Sequence, residues 1–193
     1  MQNHQLFTGH ALGVLKGLPP ESVHCVVTSP PYWSLRDFKT KPVPWPDGWE
    51  GSLGLEPTPS LYVAHLVSVF SELRRVLRKD GTLWLNLGDS YAVSGQGNTN
   101  TQSTIGTHHI ESWDWRAHPN SSLVEDLKAK DLVGIPWRVA FALQTDGWWL
   151  RSDIIWHKVN SLPESVRDRP TKAHEYIFLL SRSSHYYFDQ EAV

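Results

Sequence analysis

Residues 60–87, SLYVAHLVSVFSELRRVLRKDGTLWLNL, carry two hydrophobic periods joined by an Asp-Gly pair. In the first, Tyr62, Leu66, Val69, Phe70, Leu73, Val76 and Leu77 recur at three- and four-residue intervals, which brings them to one face of an α-helix. Arg74, Arg75, Arg78 and Lys79 gather near its C-terminal end, where positive charge complements the helix dipole. Gly81 is read as the stop of this helix, and Thr82–Leu87 as a strand. The order recurs downstream: a helix from about Pro136 to Thr145, the pair Asp146-Gly147, then a strand to Lys158. Upstream, Leu12, Leu15 and Leu18 mark a short helix before the strand Val23–Thr28, and Glu175–Ser181 forms the last strand. Such alternation predicts an α/β fold with a mostly parallel sheet ending in an antiparallel hairpin, and ligands gather at the carboxyl ends of such strands.

At one of those ends stands Thr28-Ser29-Pro30-Pro31-Tyr32-Trp33. Each proline fixes its own φ and pushes the residue before it into extended conformation, so the segment is stiff. Pro30 and Pro31 have no backbone N–H, which leaves acceptors without donors: the carbonyls of Ser29 and Pro30 and the Ser29 hydroxyl. An exocyclic amine has the complementary hydrogens, and Tyr32 or Trp33 supplies an aromatic plate for the ring that bears it. The plain alternative is a proline-rich turn after a core strand. A second strand end, Asn86 to Tyr91, reaches the same rim if the two strands are neighbours.

The 193 residues fit one domain, with 40% hydrophobic and 20% charged residues. No run of about 18 apolar residues and no basic-then-apolar N-terminus is present, which predicts a cytoplasmic protein. A single cysteine, Cys25, excludes an internal disulfide and a cysteine zinc site; its place in the apolar strand predicts a buried thiol. The formal charge of −2 argues against polyanion binding by the whole surface, so nucleic-acid contact has to be local. Of the ten tryptophans, Trp84, Trp148, Trp149 and Trp156 fall in strands and Trp137 in a helix. Trp33, Trp45 and Trp49 sit beside the proline corner in a Pro/Gly-rich stretch, where facing a ligand and packing are both open.

Residues 94–122 are polar, glycine-punctuated and without apolar period, and are read as a flexible loop. The His108-His109 pair within them has no carboxylate at ligand spacing, so no metal site is expected. Val159–Ala173 carries Arg167, Arg169 and Lys172, which suit DNA phosphates or a solvated hairpin loop.

The corner at 28–33 resembles motif IV of the amino-methyltransferases that act on DNA, and its serine resembles the N4-cytosine pattern more than the Asp-Pro-Pro-Tyr usual for N6-adenine. Gly54–Pro59, Gly81–Tyr91, Lys130–Arg138, Ile155–Lys158 and His174–Tyr176 extend the likeness to the β permutation group of site-specific enzymes, of restriction-modification or phage type. The resemblance implies a partial Rossmann-like methyltransferase fold, S-adenosyl-L-methionine as cofactor, and double-stranded DNA with the target base flipped out. Ser29, Pro30, Pro31 and Tyr32 would be catalytic, with Ser29 and the Pro30 carbonyl holding the N4 amine. Tyr32, Trp33 and Asp89 would form the base pocket, although Asp89 serves equally well as a helix or turn cap. Gly9, His10 and Thr28 would meet the cofactor. N6-adenine is the alternative target.

Two departures stand against the pattern. The family's glycine-rich cofactor motif is not found in residues 1–193, and Thr8-Gly9-His10 stands where Gly-Asp is usual. The chain resembles an N-terminal catalytic half whose partner would be a complementary chain with the missing motif, or a second copy. An inactive remnant that binds DNA or a partner is the reading from another class.

Overall fold

The computed structural model describes residues 4–92, 127–161 and 163–192. The segment read as a flexible loop, with His108-His109, lies outside the described residues. Helix α1 (Ala11–Gly17) precedes strand β1 (Val23–Thr28); a small hairpin, β2 (Val43–Pro44) and β3 (Glu50–Gly51), leads to helix α2 (Pro59–Val76). Strand β4 (Leu77–Leu87), helix α3 (Ile135–Thr145) and strands β5 (Trp149–His157) and β6 (His174–Ser181) complete the order.

Local chemistry sets α2. Pro59 occupies its first turn, the Thr58 hydroxyl accepts from the Leu61 N–H at 3.2 Å, and Arg74 and Arg75 fill its last turn. Its buried face of Tyr62, Leu66, Phe70 and Leu73 packs on the sheet. Gly81 does not stop the helix: α2 ends at Val76 and β4 starts at the next residue. Val23 pairs with Leu77 and Cys25 with Thr82, so 78–81 form an irregularity in the strand. A Cβ on Gly81 would lie 2.6 Å from Leu77 Cγ and 2.9 Å from the His24 carbonyl, so close approach is what requires glycine there.

The sheet order is β1-β4-β6-β5, with β1 parallel to β4 and β6 antiparallel to both its neighbours. Three of the four strands therefore run one way, and β5–β6 make the expected antiparallel hairpin. Leu83, Leu85, Leu87, Phe178 and Leu180 meet α2 and α3 across one face and form the core with Val139 and Leu143. Removing one such side chain, as in Leu85→Ala, costs about 2–5 kcal/mol.

The opposite face carries Val27, Trp84, Ile177, Ile154 and Trp156 at alternating positions. Val27 is 79% exposed and Trp156 56%. The expectation of a buried β1 is thereby corrected, and with it the buried thiol: Cys25 is exposed. Strand β1 stands at the end of the sheet and pairs only with β4 among the described residues, so its outward side chains meet no layer. Exposed Trp149 and Trp156 depart from core packing for the same reason, lying on the other terminal strand.

Candidate active site

Strands β1 and β4 are parallel neighbours, Thr28 opposite Leu85, and so deliver Ser29–Trp33 and Gly88–Tyr91 to one rim. The proline corner is fastened from below. Fully buried Tyr62 donates its hydroxyl to the Pro31 carbonyl at 2.8 Å, and the Ser34 N–H donates to the Gly54 carbonyl at 2.8 Å. Trp33 is turned inward, 7% exposed, with its indole N–H on the Glu56 carbonyl at 2.9 Å. It packs in the core, so the expected pocket role for Trp33 is replaced by an anchoring one.

Glu56 extends this anchor. One carboxylate oxygen accepts the Gly54 N–H at 2.8 Å and the other meets His65 Nδ1 at 2.9 Å, while His65 Nε2 lies 3.1 Å from Asp47. Burial raises the Glu56 carboxyl above its ordinary value, against the pull of the His65 and backbone hydrogen bonds. Trp45 stacks on His65 at 3.9 Å between ring centres. Trp45 packs on a buried imidazole and also borders a cavity between α1 and α2, and the β2–β3 hairpin is tied to α2.

Above the corner, the Tyr32 hydroxyl lies 2.7 Å from Asn86 Oδ1 and 2.9 Å from Glu175 Oε2. Ser29 Oγ lies 3.2 Å from the same Asn86 oxygen and 3.4 Å from the Tyr32 hydroxyl. Asn86 Nδ2 donates to the Tyr176 carbonyl at 3.1 Å, and Lys158 Nζ pairs with Glu175 Oε1. Burial, with the charge and hydrogen bonding of Glu175, pushes the Tyr32 phenol up to about 12, against the Ser29 hydrogen bond. Burial acts to raise Glu175, but hydrogen bonds from Lys158 and Tyr32 together with the Lys158 charge hold it below its ordinary value. Asn86, Lys158 and Glu175 were not singled out as site residues from sequence. The signal for Asn86 is a polar residue inside the apolar strand run Leu83–Leu87, which asks for a partner.

Asp89 does not face this network. Its Oδ1 accepts the N–H groups of Ser90, Gly134 and Ile135, each at 2.9 Å, which places it as a cap at the start of α3. The segment after β5 holds the basic residues. Arg167 is exposed, whereas Arg169 lies 3.9 Å over the Tyr91 ring and pairs with Glu164. Lys172 is half-buried; burial lowers its pKa, partly offset by the charges of Asp89, Glu175 and Glu164.

Beside the corner, between α1 and α2, is a cavity of about 760 Å³ lined by Gly9, His10, Thr28, Ser29 and Pro30 among others. The structure therefore gathers the three residues expected at the cofactor around one space with the amine corner. Its size lies within the range of nucleotide-sized ligand sites and its walls are mostly apolar, which suits an adenosyl group. Burial and the charge of His65 lower the His10 pKa, so its imidazole offers one donor and one acceptor. Among the described residues no group of three or more side chains could hold a metal ion.

The family model for N6/N4 methyltransferases, described as DNA methylase, matches residues 23–193. The chain is 50% identical over 188 residues to the type II methyltransferase M.Cfr9I of Citrobacter freundii, covering 97% of this chain and 57% of the relative. It is 44% identical over 201 residues to the type II methyltransferase M.SmaI of Serratia marcescens, covering 100% and 61%. The chain thus spans less than two thirds of these relatives. Its fold is shared with the PvuII DNA methyltransferase, a cytosine-N4-specific enzyme, at a TM-score of 0.58 and 17% identity over 95% of this chain and 50% of that one. A like match joins it to a DNA modification methylase of Thermus thermophilus in complex with S-adenosyl-L-methionine: TM-score 0.58, 23% identity, 98% of this chain and 58% of that one. With its Ser-Pro-Pro-Tyr strand end and a family match that runs from the start of β1 to the last residue, the chain belongs to the N6/N4 DNA methylase family.

Proposed function

We propose that this chain supplies the target-amine half of an S-adenosyl-L-methionine-dependent type II DNA methyltransferase acting on the N4 amine of a cytosine flipped out of double-stranded DNA. The observation that carries this reading is the rigid acceptor corner at Ser29–Pro30, set between a polar network at Asn86 and a cavity lined by Gly9, His10 and Thr28. When bound, S-adenosyl-L-methionine supplies a methyl group on a positively charged sulfur. Ser29 Oγ and the Pro30 carbonyl accept the two amine hydrogens and aim the nitrogen lone pair toward the cavity. Tyr32, held by its hydroxyl and lying against Gly88, forms a wall for the base. Oδ1 of Asp89 is taken up by backbone N–H groups at α3, and orientation and water exclusion are the contributions assigned to the corner. The amine proton leaves to solvent. Arg167 and Lys172, in the segment between β5 and β6, are the proposed phosphate contacts, and Cys25, exposed on β1, takes no part.

The serine favours cytosine N4, since a neutral hydroxyl accepts one N–H without bringing a charge to the amine. A complementary segment with a glycine-rich sequence is the proposed source of the remaining cofactor contacts. No helix of the described residues is long and apolar enough to cross a membrane.

The test mixes the chain with a polypeptide matching the unaligned remainder of the Citrobacter freundii relative, then adds genomic DNA and S-adenosyl-L-methionine. Mass spectrometry of the digested DNA should show N4-methylcytosine, lost in Ser29→Ala. N6-methyladenine instead would move the target to adenine. Cofactor binding by the mixture without either product would replace the enzyme reading by a DNA- or partner-binding remnant.

A further inference from the structure

Four side chains at the corner form a closed hydrogen problem. The Asn86 amide is oriented by its donation to the Tyr176 carbonyl, so Oδ1 is the end that faces the corner. That oxygen is within reach of both Tyr32, at 2.7 Å, and Ser29, at 3.2 Å. Glu175 Oε2 is within reach of Tyr32 alone of the two, at 2.9 Å. Its other oxygen is paired with Lys158. Two hydroxyl hydrogens thus face Asn86 Oδ1, Glu175 Oε2 and, for Ser29, the more distant Tyr32 oxygen at 3.4 Å, and each hydroxyl has one hydrogen.

If Tyr32 donates to Asn86, the ionised Glu175 oxygen faces a bare phenol oxygen at 2.9 Å, and the charged acceptor goes without a hydrogen. If Tyr32 donates to Glu175, its hydrogen goes to the charged acceptor, which makes the stronger bond; the 2.7 Å contact to Asn86 then carries no Tyr32 hydrogen and the Asn86 oxygen is left to Ser29. We infer that Glu175 is a positioning residue: it takes the Tyr32 hydrogen and so reserves Asn86 Oδ1 for the Ser29 hydrogen, leaving Ser29 as an acceptor only. This deepens the reading of Ser29 as the amine-holding group and rests on it for its consequence. A Ser29 hydrogen turned toward the amine would either oppose its N–H bonds or occupy the lone pair that must attack. The ion pair with Lys158 keeps Glu175 ionised and therefore able to accept.

Glu175→Gln preserves shape but reverses the hydrogen. Its carbonyl stays on Lys158 and its amide nitrogen donates to Tyr32, whose own hydrogen turns to Asn86 and competes there with that of Ser29. Neutron diffraction from crystals of the deuterated protein reads these positions directly. The expected map has the Tyr32 deuterium on Glu175 and the Ser29 deuterium on Asn86, with the Tyr32 deuterium moved to Asn86 in Glu175→Gln. A wild-type map with the Tyr32 deuterium on Asn86, or the Ser29 deuterium pointing away from it, overturns the inference.

In the methyl-transfer assay with the complementary polypeptide, Glu175→Gln should lower kcat about tenfold to a hundredfold, the scale of one unsatisfied polar contact. KM for S-adenosyl-L-methionine should stay unchanged. Adding Tyr32→Phe to Glu175→Gln removes the competing hydrogen and should restore part of the lost kcat, which a scaffold defect would not allow. No recovery in the double variant refutes the positioning role. A wild-type mixture that methylates no DNA refutes the functional reading, and the neutron map still decides the hydrogen assignment.

Discussion

Replacing Gly88 by alanine puts a methyl carbon 2.4 Å from Cε2 and 2.6 Å from Cδ2 of the Tyr32 ring. Gly88 is not among the residues with positive φ, so the backbone itself accepts alanine and the collision falls on the ring. To regain ordinary contact at 3.4 Å the ring has to retreat by 1.0 Å, the difference between 3.4 and 2.4 Å. The ring is not free to do so. Its hydroxyl is held at 2.7 Å by Asn86 and at 2.9 Å by Glu175, and a shift of that size takes both beyond hydrogen-bonding range. Overpacking of this kind costs about 2 kcal/mol, which in a chain of this length lowers Tm by roughly 4–8 °C. Denaturant titration and thermal melting of Gly88→Ala give the stability. Spectrophotometric titration of the phenol gives the second readout: Tyr32, pushed up to about 12 in the wild type first by burial and then by Glu175, should ionise at lower pH once the ring is displaced from its buried site and from Glu175. Wild-type stability together with an unmoved Tyr32 titration would show that the ring does not rest on Gly88, and the geometry of the corner would fall with it.

Asp89→Ala removes the acceptor for three backbone N–H groups near the start of α3; the loss is about 1–2 kcal/mol by denaturant titration, and an unchanged midpoint would refute the capping role. Cys25 should react with a thiol reagent in the native protein at nearly the rate seen in denaturant, and protection until unfolding would refute the edge placement of β1. The Tyr32 phenol is raised in the folded state, so its contribution to stability is fully present below about pH 10 and is lost as pH rises through about 12; Tyr32→Phe should flatten that part of the stability curve, and an identical curve would count against the burial of the hydroxyl. The Glu175 carboxyl is lowered, so its contribution is present above the ordinary value of 4.5 and is lost as pH falls through the folded value. Glu175→Gln should therefore reduce the acid loss of stability, measured by urea midpoints from neutral to acid pH.

Helix α2 was legible because two local signals agree: a face of large apolar residues at helical spacing and basic residues near its C-terminal end. The parallel pairing of β1 and β4 followed from the same stretch, since a helix between two strands makes the crossover. What sequence did not give is position within the sheet. Val23–Thr28 is as apolar as a central strand, yet it stands at the end, and periodicity carries no record of what lies beyond a strand's far edge. Gly81 was misread because a helix stop and a tight strand irregularity call for the same residue. Of the corner itself, Ser29 to Tyr32 were legible from proline stereochemistry, while Trp33 looked the same as a ligand plate until its buried partner, the Glu56 carbonyl, was known, and Trp45 both stacks on His65 and borders the cavity. Asn86 and Glu175 lay 54 and 143 residues from Tyr32, and no local pattern links groups so far apart. Asp89 was weighed both as a pocket carboxylate and as a cap. Its three N–H partners include Gly134 and Ile135, which only the folded chain brings near.

The 143 residues between Tyr32 and Glu175 also set a timetable. A ribosome adding about 5–20 residues per second presents Glu175 roughly 7–29 seconds after Tyr32. During that interval β1, α2 and β4 are already available to assemble, but the Tyr32 hydroxyl has neither Glu175 nor an Asn86 amide steadied by the Tyr176 carbonyl. Strand β6 inserts between β4 and β5 and brings both at once. The proline corner is therefore made well before it can be set, and a nascent chain short of His174 exposes it with its acceptors still unassigned.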